Sequence, residues 1–335
     1  MRMDLATSYR DQAGLILLYH RIAPAELDPW GLAVSPQHFG EHLDLLCKHW
    51  NVLPLTHAIE ALQNRTLPRR TVIVTFDDGY ADNLYNAKPL LSRHGVPATV
   101  FLTSGYIGSG REFWWDEIER MLLGPVVLPE ELSIVANGRT SRWTLGEARF
   151  YPDDCRRSDC HCRVKKNGAL SERLRFCYAV HAMLRMMCEN ERRTTLKNLA
   201  LWAGVPVEVS TDCRSLSLEE VRALIDGGLV EAGSHTVTHP VLSAMPLSGQ
   251  VGEVRQSKRE IEQLLGRQVR CFAYPYGCCT VQTASVVGDE GFLCACSAQP
   301  GVLTFESSLF ALPRIKVEDW GSEELSKVLS ALLGQ

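Results

Sequence analysis

No apolar run in this chain is long enough to span a bilayer. The first apolar stretch, Leu15 to Tyr19, is also too short for the hydrophobic core of a signal peptide. A cytoplasmic location is the expectation from both. There is no block of Lys and Arg, and the formal net charge is −4, so a nucleic-acid partner is not expected. No G-x-G-x-x-G follows the early strand candidates, which removes the dinucleotide-binding fingerprint. Internal repeats and low-complexity tracts are absent. The 12 cysteines are scattered and read as reduced thiols rather than a disulfide framework. Their tightest group is Cys155, Cys160, His161 and Cys162, without paired C-x-x-C spacing. A polar loop with free thiols is expected there, with a small zinc cluster as the other reading.

What is present is ordinary globular material. The 335 residues are 45% hydrophobic and 22% charged, enough for one large α/β domain or two smaller ones. Short β-rich apolar runs fall at Leu15–Tyr19, Val72–Phe76, Ala98–Leu102, Leu229–Ala232, Val269–Ala273 and Phe292–Ser297. Helical patterns lie between them, at Pro36–His49, Thr56–Gln63, Leu84–His94, Leu218–Asp226, Gln250–Leu265 and Glu323–Leu333. Ser217 followed by "LEE" is a capping sequence. This alternation predicts a parallel α/β architecture, either an open doubly wound sheet or a closed barrel.

The rhythm lapses between residues 122 and 214. That segment holds a hairpin pattern turning at Asn137-Gly138, the cysteine group, and one long helical stretch from Leu170 to Trp202. It reads as an insertion within a single domain, with a lid or substrate-shaping role.

The strand ends share a chemistry. "LILLYHR" ends at His20, "TVIVTFDDG" at Asp77 and Asp78, "LVEAGSHTVTHP" at His235 and His239, and "VRCFAYPYG" at Tyr274 and Tyr276. Asp-Gly alone is a common turn pair. In a parallel barrel, however, the carboxyl ends of the strands open on one face, where active sites sit. Two imidazoles and one carboxylate make a three-ligand site with open positions, the catalytic pattern for zinc; cobalt, nickel or iron would also suit. The triplet between His235 and His239 has no Glu, so this is not the H-E-x-x-H helix of metalloproteases.

"TFDDG", "SHTVTH" and "FAYPYG", in this order, resemble the signature blocks of the NodB-homology polysaccharide deacetylases, carbohydrate esterase family four. The resemblance runs from Leu15 to Trp320 apart from the inserted middle. It implies a distorted (β/α) barrel and metal-dependent removal of an acetyl group from an N-acetylated sugar. By motif, Asp77 would be the general base, and Asp78, His235 and His239 the metal ligands. The backbone amide of Tyr276 would be the oxyanion donor.

Two departures from the family pattern stand out. The family's late His block is missing, since no histidine follows Trp320. "LLYHR" resembles permuted members in which that block comes first, and makes His20 the candidate acid. The Arg that pairs with the base is replaced by Ala273; Arg270 lies near in sequence, and Arg314 in "LPRIKVEDW" is the candidate substitute. Asp319 is the candidate for orienting His20. Tyr106, Trp114 and Trp115 could form a sugar-stacking wall.

The expected substrate is a nucleotide sugar, a lipid-linked glycan or a small glycoside. A deformylase or other deacylase, and a non-catalytic carbohydrate-binding protein on the same scaffold, remain alternatives. The oligomeric state is not legible.

Overall fold

The computed structural model describes residues 13–24, 27–136, 138–165, 170–206 and 213–333, with the backbone alone at 161–165. The described chain forms two compact units. One holds residues up to 25, 32–110 and 215 onward; the other holds 26–31 and 111–214.

The larger unit is built on eight parallel strands: β1 (Gly14–Tyr19), β2 (Asn51–Val52), β3 (Thr71–Phe76), β4 (Ala98–Leu102), β5 (Val230–Ser234), β6 (Cys271–Ala273), β7 (Cys294–Cys296) and β8 (Ile315–Lys316). Their order is β7-β6-β5-β4-β3-β1-β8, with β2 beside the start of β3. Every residue of β1 and β3 is buried. That explains their unbroken apolar runs, because a parallel strand in this setting is covered on both faces. Alternate residues enter two cores. Leu15, Leu17, Tyr19, Val72, Val74 and Phe76 join Phe39, Leu43 and Leu46 of helix α1 (Pro36–His49). Ile16, Ile73, Phe101, Cys271 and Ala273 form the other, with helix α2 (Leu55–Gln63).

The segment between β7 and β8 bridges the two edges of the sheet. Leu312 exchanges backbone hydrogen bonds with Ala295 and Ser297 beside β7, and Ile315 then pairs with Leu17 of β1. The parallel sheet thus curls into an incomplete barrel, the distorted (β/α) type. The remaining helices of this unit are α3 (Lys88–His94), α4 (Leu218–Ile225), α5 (Leu247–Leu265), α6 (Val281–Asp289) and α7 (Ser322–Leu333). Local chemistry sets their starts: Ser35 caps α1 with Pro36 in its first turn, and Ser217 and Glu220 form a capping box on α4.

The smaller unit contains the expected hairpin, Glu131–Ala136 against Arg139–Thr144. Asn137 itself lies outside the described residues. Two expectations change here. Cys155 and Cys160 lie in a helix, Asp153–Lys165, not in a loop; Asp153 and Asp154 in its first turn favour that start. The side chains of His161 and Cys162 lie outside the described residues. The long helical stretch is two helices, Glu172–Leu184 and Glu189–Ala203, because the chain turns extended at Cys188 and Glu189 restarts a helix. Trp114 and Trp115 are 0% and 4% exposed, with Trp114 stacked on His181 at 4.7 Å. Their rings are core rather than a sugar wall, and Tyr106 in the larger unit is buried likewise. Among the described residues, no helix is long and apolar enough to cross a membrane.

Candidate metal and hydrolase centre

The candidate residues gather at the carboxyl ends of the barrel strands. β3 ends in Asp77, whose amide donates to Tyr19 O at 3.0 Å. The chain then turns sharply: Asp78 has φ 75° and Gly79 φ 87°. The φ of Gly79 favours glycine, and an added Cβ would also fall 2.8 Å from Leu102 Cδ2 and have to displace that side-chain tip. Past β5, Thr236 (φ 67°) and His239 (φ 55°) are left-handed, as is Tyr276 (φ 59°) after β6. Four non-glycine residues in this conformation within one site mark a backbone held against its own preference by its surroundings.

The two adjacent aspartates have opposite environments. Asp77 accepts two hydrogen bonds from Arg314, each 2.7 Å. Arg314 is fully buried; its Nε donates to Ser297 O at 2.7 Å and its guanidinium lies over the Phe101 ring. Burial pushes the Asp77 carboxyl up, but the Arg314 charge and hydrogen bonds, with His235, hold it down at about 2. Asp78 has no such clamp. Its Oδ1 is buried without a hydrogen-bond partner, 3.3 Å from His239 Nε2 and 3.6 Å from His235 Nε2. Burial raises its pKa.

His235 donates from Nδ1 to Ala273 O at 2.7 Å, which fixes the tautomer and leaves Nε2 as a lone-pair donor. Burial lowers its pKa, favouring the neutral ring. An acceptor-only carboxylate oxygen without a partner and two imidazoles, with one ligand atom from each within 4.8 Å of the others, is a donor set that fits a divalent cation. Hydrogen bonding of a ligand's second nitrogen to a carbonyl is the usual support for such a site.

His20 follows β1 at the same rim. Burial pushes its imidazole down to about 4, against the pull of Asp78 and Asp77. Of the other candidates, Arg270 pairs with Glu60 at 2.8 Å, away from Asp77. Asp319 accepts from Ser35 N at 2.8 Å and Ser35 Oγ at 2.9 Å and meets His38 Nδ1 at 2.7 Å. The structure therefore does not bring Asp319 to His20 as expected; its carboxylate fastens the start of α1. Sequence reading passed over Asp82 and Asn83. Asp82 accepts from Arg21 Nε at 2.9 Å and Ile22 N at 3.1 Å, and Asn83 donates to His20 O at 2.8 Å. Both belong to the same "DDGYADN" stretch, so the signal was a further pair of polar side chains one turn beyond the aspartates.

Comparison with known proteins is consistent with this geometry. The polysaccharide deacetylase family profile matches residues 64–127 and 181–295, together more than half of the chain. His20 and Arg314 lie outside the matched segments. The chain is 29% identical over 108 residues to YxkH of Bacillus subtilis, a polysaccharide-deacetylase-type protein, covering 32% of this chain. It is 26% identical over 113 residues to the poly-β-1,6-N-acetyl-D-glucosamine N-deacetylase of Staphylococcus aureus, covering 30% of this chain. These alignments span only 37% and 39% of the relatives' own lengths. Among solved structures, the Streptococcus pyogenes deacetylase PplD in complex with acetate superposes with a TM-score of 0.58 at 17% identity, covering 94% of this chain and 97% of that one. IcaB from Ammonifex degensii gives 0.57 at 18% identity, covering 97% and 98%.

Proposed function

The chain belongs to the polysaccharide deacetylase family, and from that premise we propose that it is a metal-dependent N-deacetylase acting on an N-acetylated carbohydrate. The observation that carries the reading is the division between neighbours: Asp77 is clamped by Arg314, one hydrogen bond to each oxygen, while Asp78 turns an unpartnered oxygen towards two imidazoles. Asp78, His235 and His239 would hold the metal. Bound there, a divalent ion, zinc first, would polarise the amide carbonyl and acidify water.

The chain's own residues supply the rest. Asp77 accepts the proton of the attacking water, and Arg314 keeps it ionised and oriented. The Tyr276 backbone N–H donates to the oxyanion as it forms. His20, neutral at rest, takes a proton from solvent as negative charge develops beside it and gives it to the leaving amine as the C–N bond breaks, while the proton on Asp77 returns to solvent. This assignment treats the N-terminal "LLYHR" block as the permuted counterpart of the family's late His block. Asp319 is left out of the machinery, since Ser35 and His38 occupy it.

The Staphylococcus relative's name favours β-linked N-acetylglucosamine oligomers as the first substrate class, ahead of nucleotide sugars and small glycosides. The test is acid release from such oligomers and from a nucleotide N-acetylhexosamine, with acetate and formate assayed separately. Acetate with an equimolar new amine supports the proposal. Formate alone would assign a deformylase, and glycan binding without release a binding protein.

A further inference from the structure

We infer that Glu253, on α5, is a positioning residue for the two histidines of the site, an inference that rests on the metal reading above. Glu253 Oε2 accepts from Val237 N at 2.7 Å and Thr238 N at 3.0 Å, and its Oε1 accepts from Thr238 Oγ1 at 2.7 Å. One carboxylate thus holds both amides that lie between the left-handed Thr236 and His239.

The rest of the loop is fastened with equal economy. Thr236 O and Val237 O accept from Ser104 N and Gly105 N, both at 3.0 Å. A Cβ on Gly105 would sit 2.6 Å from Val237 O, so this approach needs glycine. His239 N donates to Thr236 Oγ1 at 3.1 Å. Unassisted, residues of this type avoid the left-handed region. Removing the Glu253 contacts releases the loop that sets where His239 Nε2 points.

Glu253 is also the first of a polar row on one face of α5. Ser257, four residues on, meets Ser234 Oγ at 2.6 Å, and Glu260, seven residues on, accepts from Ser104 Oγ at 2.5 Å. Positions i, i+4 and i+7 share a helix face. That face braces the end of β5, the histidine loop after it, and the turn after β4. Beside the apolar positions Val254 and Ile261, which pack α5 into the core, this row points a hydroxyl at the end of β5 and carboxylates at the histidine loop and the turn after β4.

The test is Co2+ titration of metal-free protein, followed by its visible absorption, for wild type, Glu253→Met, Thr238→Val and the surface control Arg259→Ala. Glu253→Met keeps the length but removes every acceptor from the two amides and the Thr238 hydroxyl. The expected result is Co2+ affinity weaker by about 10–100-fold in Glu253→Met, as for other outer partners of metal ligands, with a smaller loss in Thr238→Val. The absorption band should change shape, and Arg259→Ala should match wild type. A purely structural role would lower the melting temperature and leave affinity and spectrum unchanged, which overturns the inference. If Glu253→Met does not fold, Thr238→Val decides by the same criterion. Wild-type protein that takes up no Co2+ contradicts the metal reading itself, and this inference with it; wild-type binding with unaltered variants contradicts this inference alone.

Discussion

Arg314 and Asp77 meet inside the barrel through two parallel hydrogen bonds, Nη1 to Oδ1 and Nη2 to Oδ2, each 2.7 Å. The residues are far apart in the chain and both are buried. On the proposed reading the guanidinium would stand in for the motif Arg absent at Ala273, while Ala273 supplies its carbonyl to His235.

Arg314→Met should therefore reduce hydrolysis to near background. Leaving Asp77 buried and unpaired should also cost about 3–5 kcal/mol of stability. Arg314→Lys should fall between, because an ammonium cannot make the two-pronged contact. Chemical denaturation at neutral pH and initial rates check both; wild-type rates in Arg314→Met would remove Arg314 from the account.

The same pair sets an acid limit. Asp77 is held at about 2 against an ordinary 3.8. A carboxyl depressed by folding contributes stability that is complete above its unfolded value and lost as pH falls through the folded one. That contribution should vanish between about pH 4 and 2. In Arg314→Met the folded value rises and this acid-labile contribution disappears, so the variant should be less stable than wild type at neutral pH but lose less stability between about pH 4 and 2. Unfolding followed by circular dichroism from pH 7 downward reads the difference.

Asp78 carries the opposite sign. Its pKa is raised by burial, so in metal-free protein its charge opposes folding as pH climbs past the unfolded value. Asp78→Asn should abolish metal uptake yet leave the metal-free melting temperature equal to wild type or higher. A melting temperature several degrees lower would show that Asp78 is structural.

His20 and Asp319 should separate cleanly. His20→Gln should lower kcat by about 10²-fold or more, with metal content unchanged. Asp319→Asn should leave kcat unaltered and cost only stability, about 1 kcal/mol, through the start of α1. Loss of turnover in Asp319→Asn would restore it as a partner of His20.

Gly277→Ala tests the oxyanion loop. Gly277 has φ 67°, and an added Cβ would lie 2.3 Å from Ala298 N and Cβ. Overpacking against backbone should cost about 1–3 kcal/mol and displace the Tyr276 amide. Reduced kcat with retained metal is the expected pattern.

The sheet was legible because buried parallel strands are continuous apolar runs, and the gathering of Asp78, His235 and His239 because they follow those strands directly. The aromatic wall was misread for a physical reason: Trp114 opens a helix, and sequence alone does not say that His181, 67 positions away, covers its face. The contacts of Asp319 were not legible because its partners, Ser35 and His38, lie nearly 300 residues earlier. Glu253 was invisible for a similar reason. On α5 it reads as one more charge on an amphipathic helix, and only the fold turns it toward the loop after β5.

The most direct test of the central claim is acetate release from a β-1,6-N-acetylglucosamine oligomer by protein stripped with a chelator and then titrated with Zn2+. The account predicts no release from stripped protein and full recovery at about one ion per chain. Asp78→Asn should give none at any zinc concentration. Undiminished release from the stripped protein, or from Asp78→Asn, would contradict it.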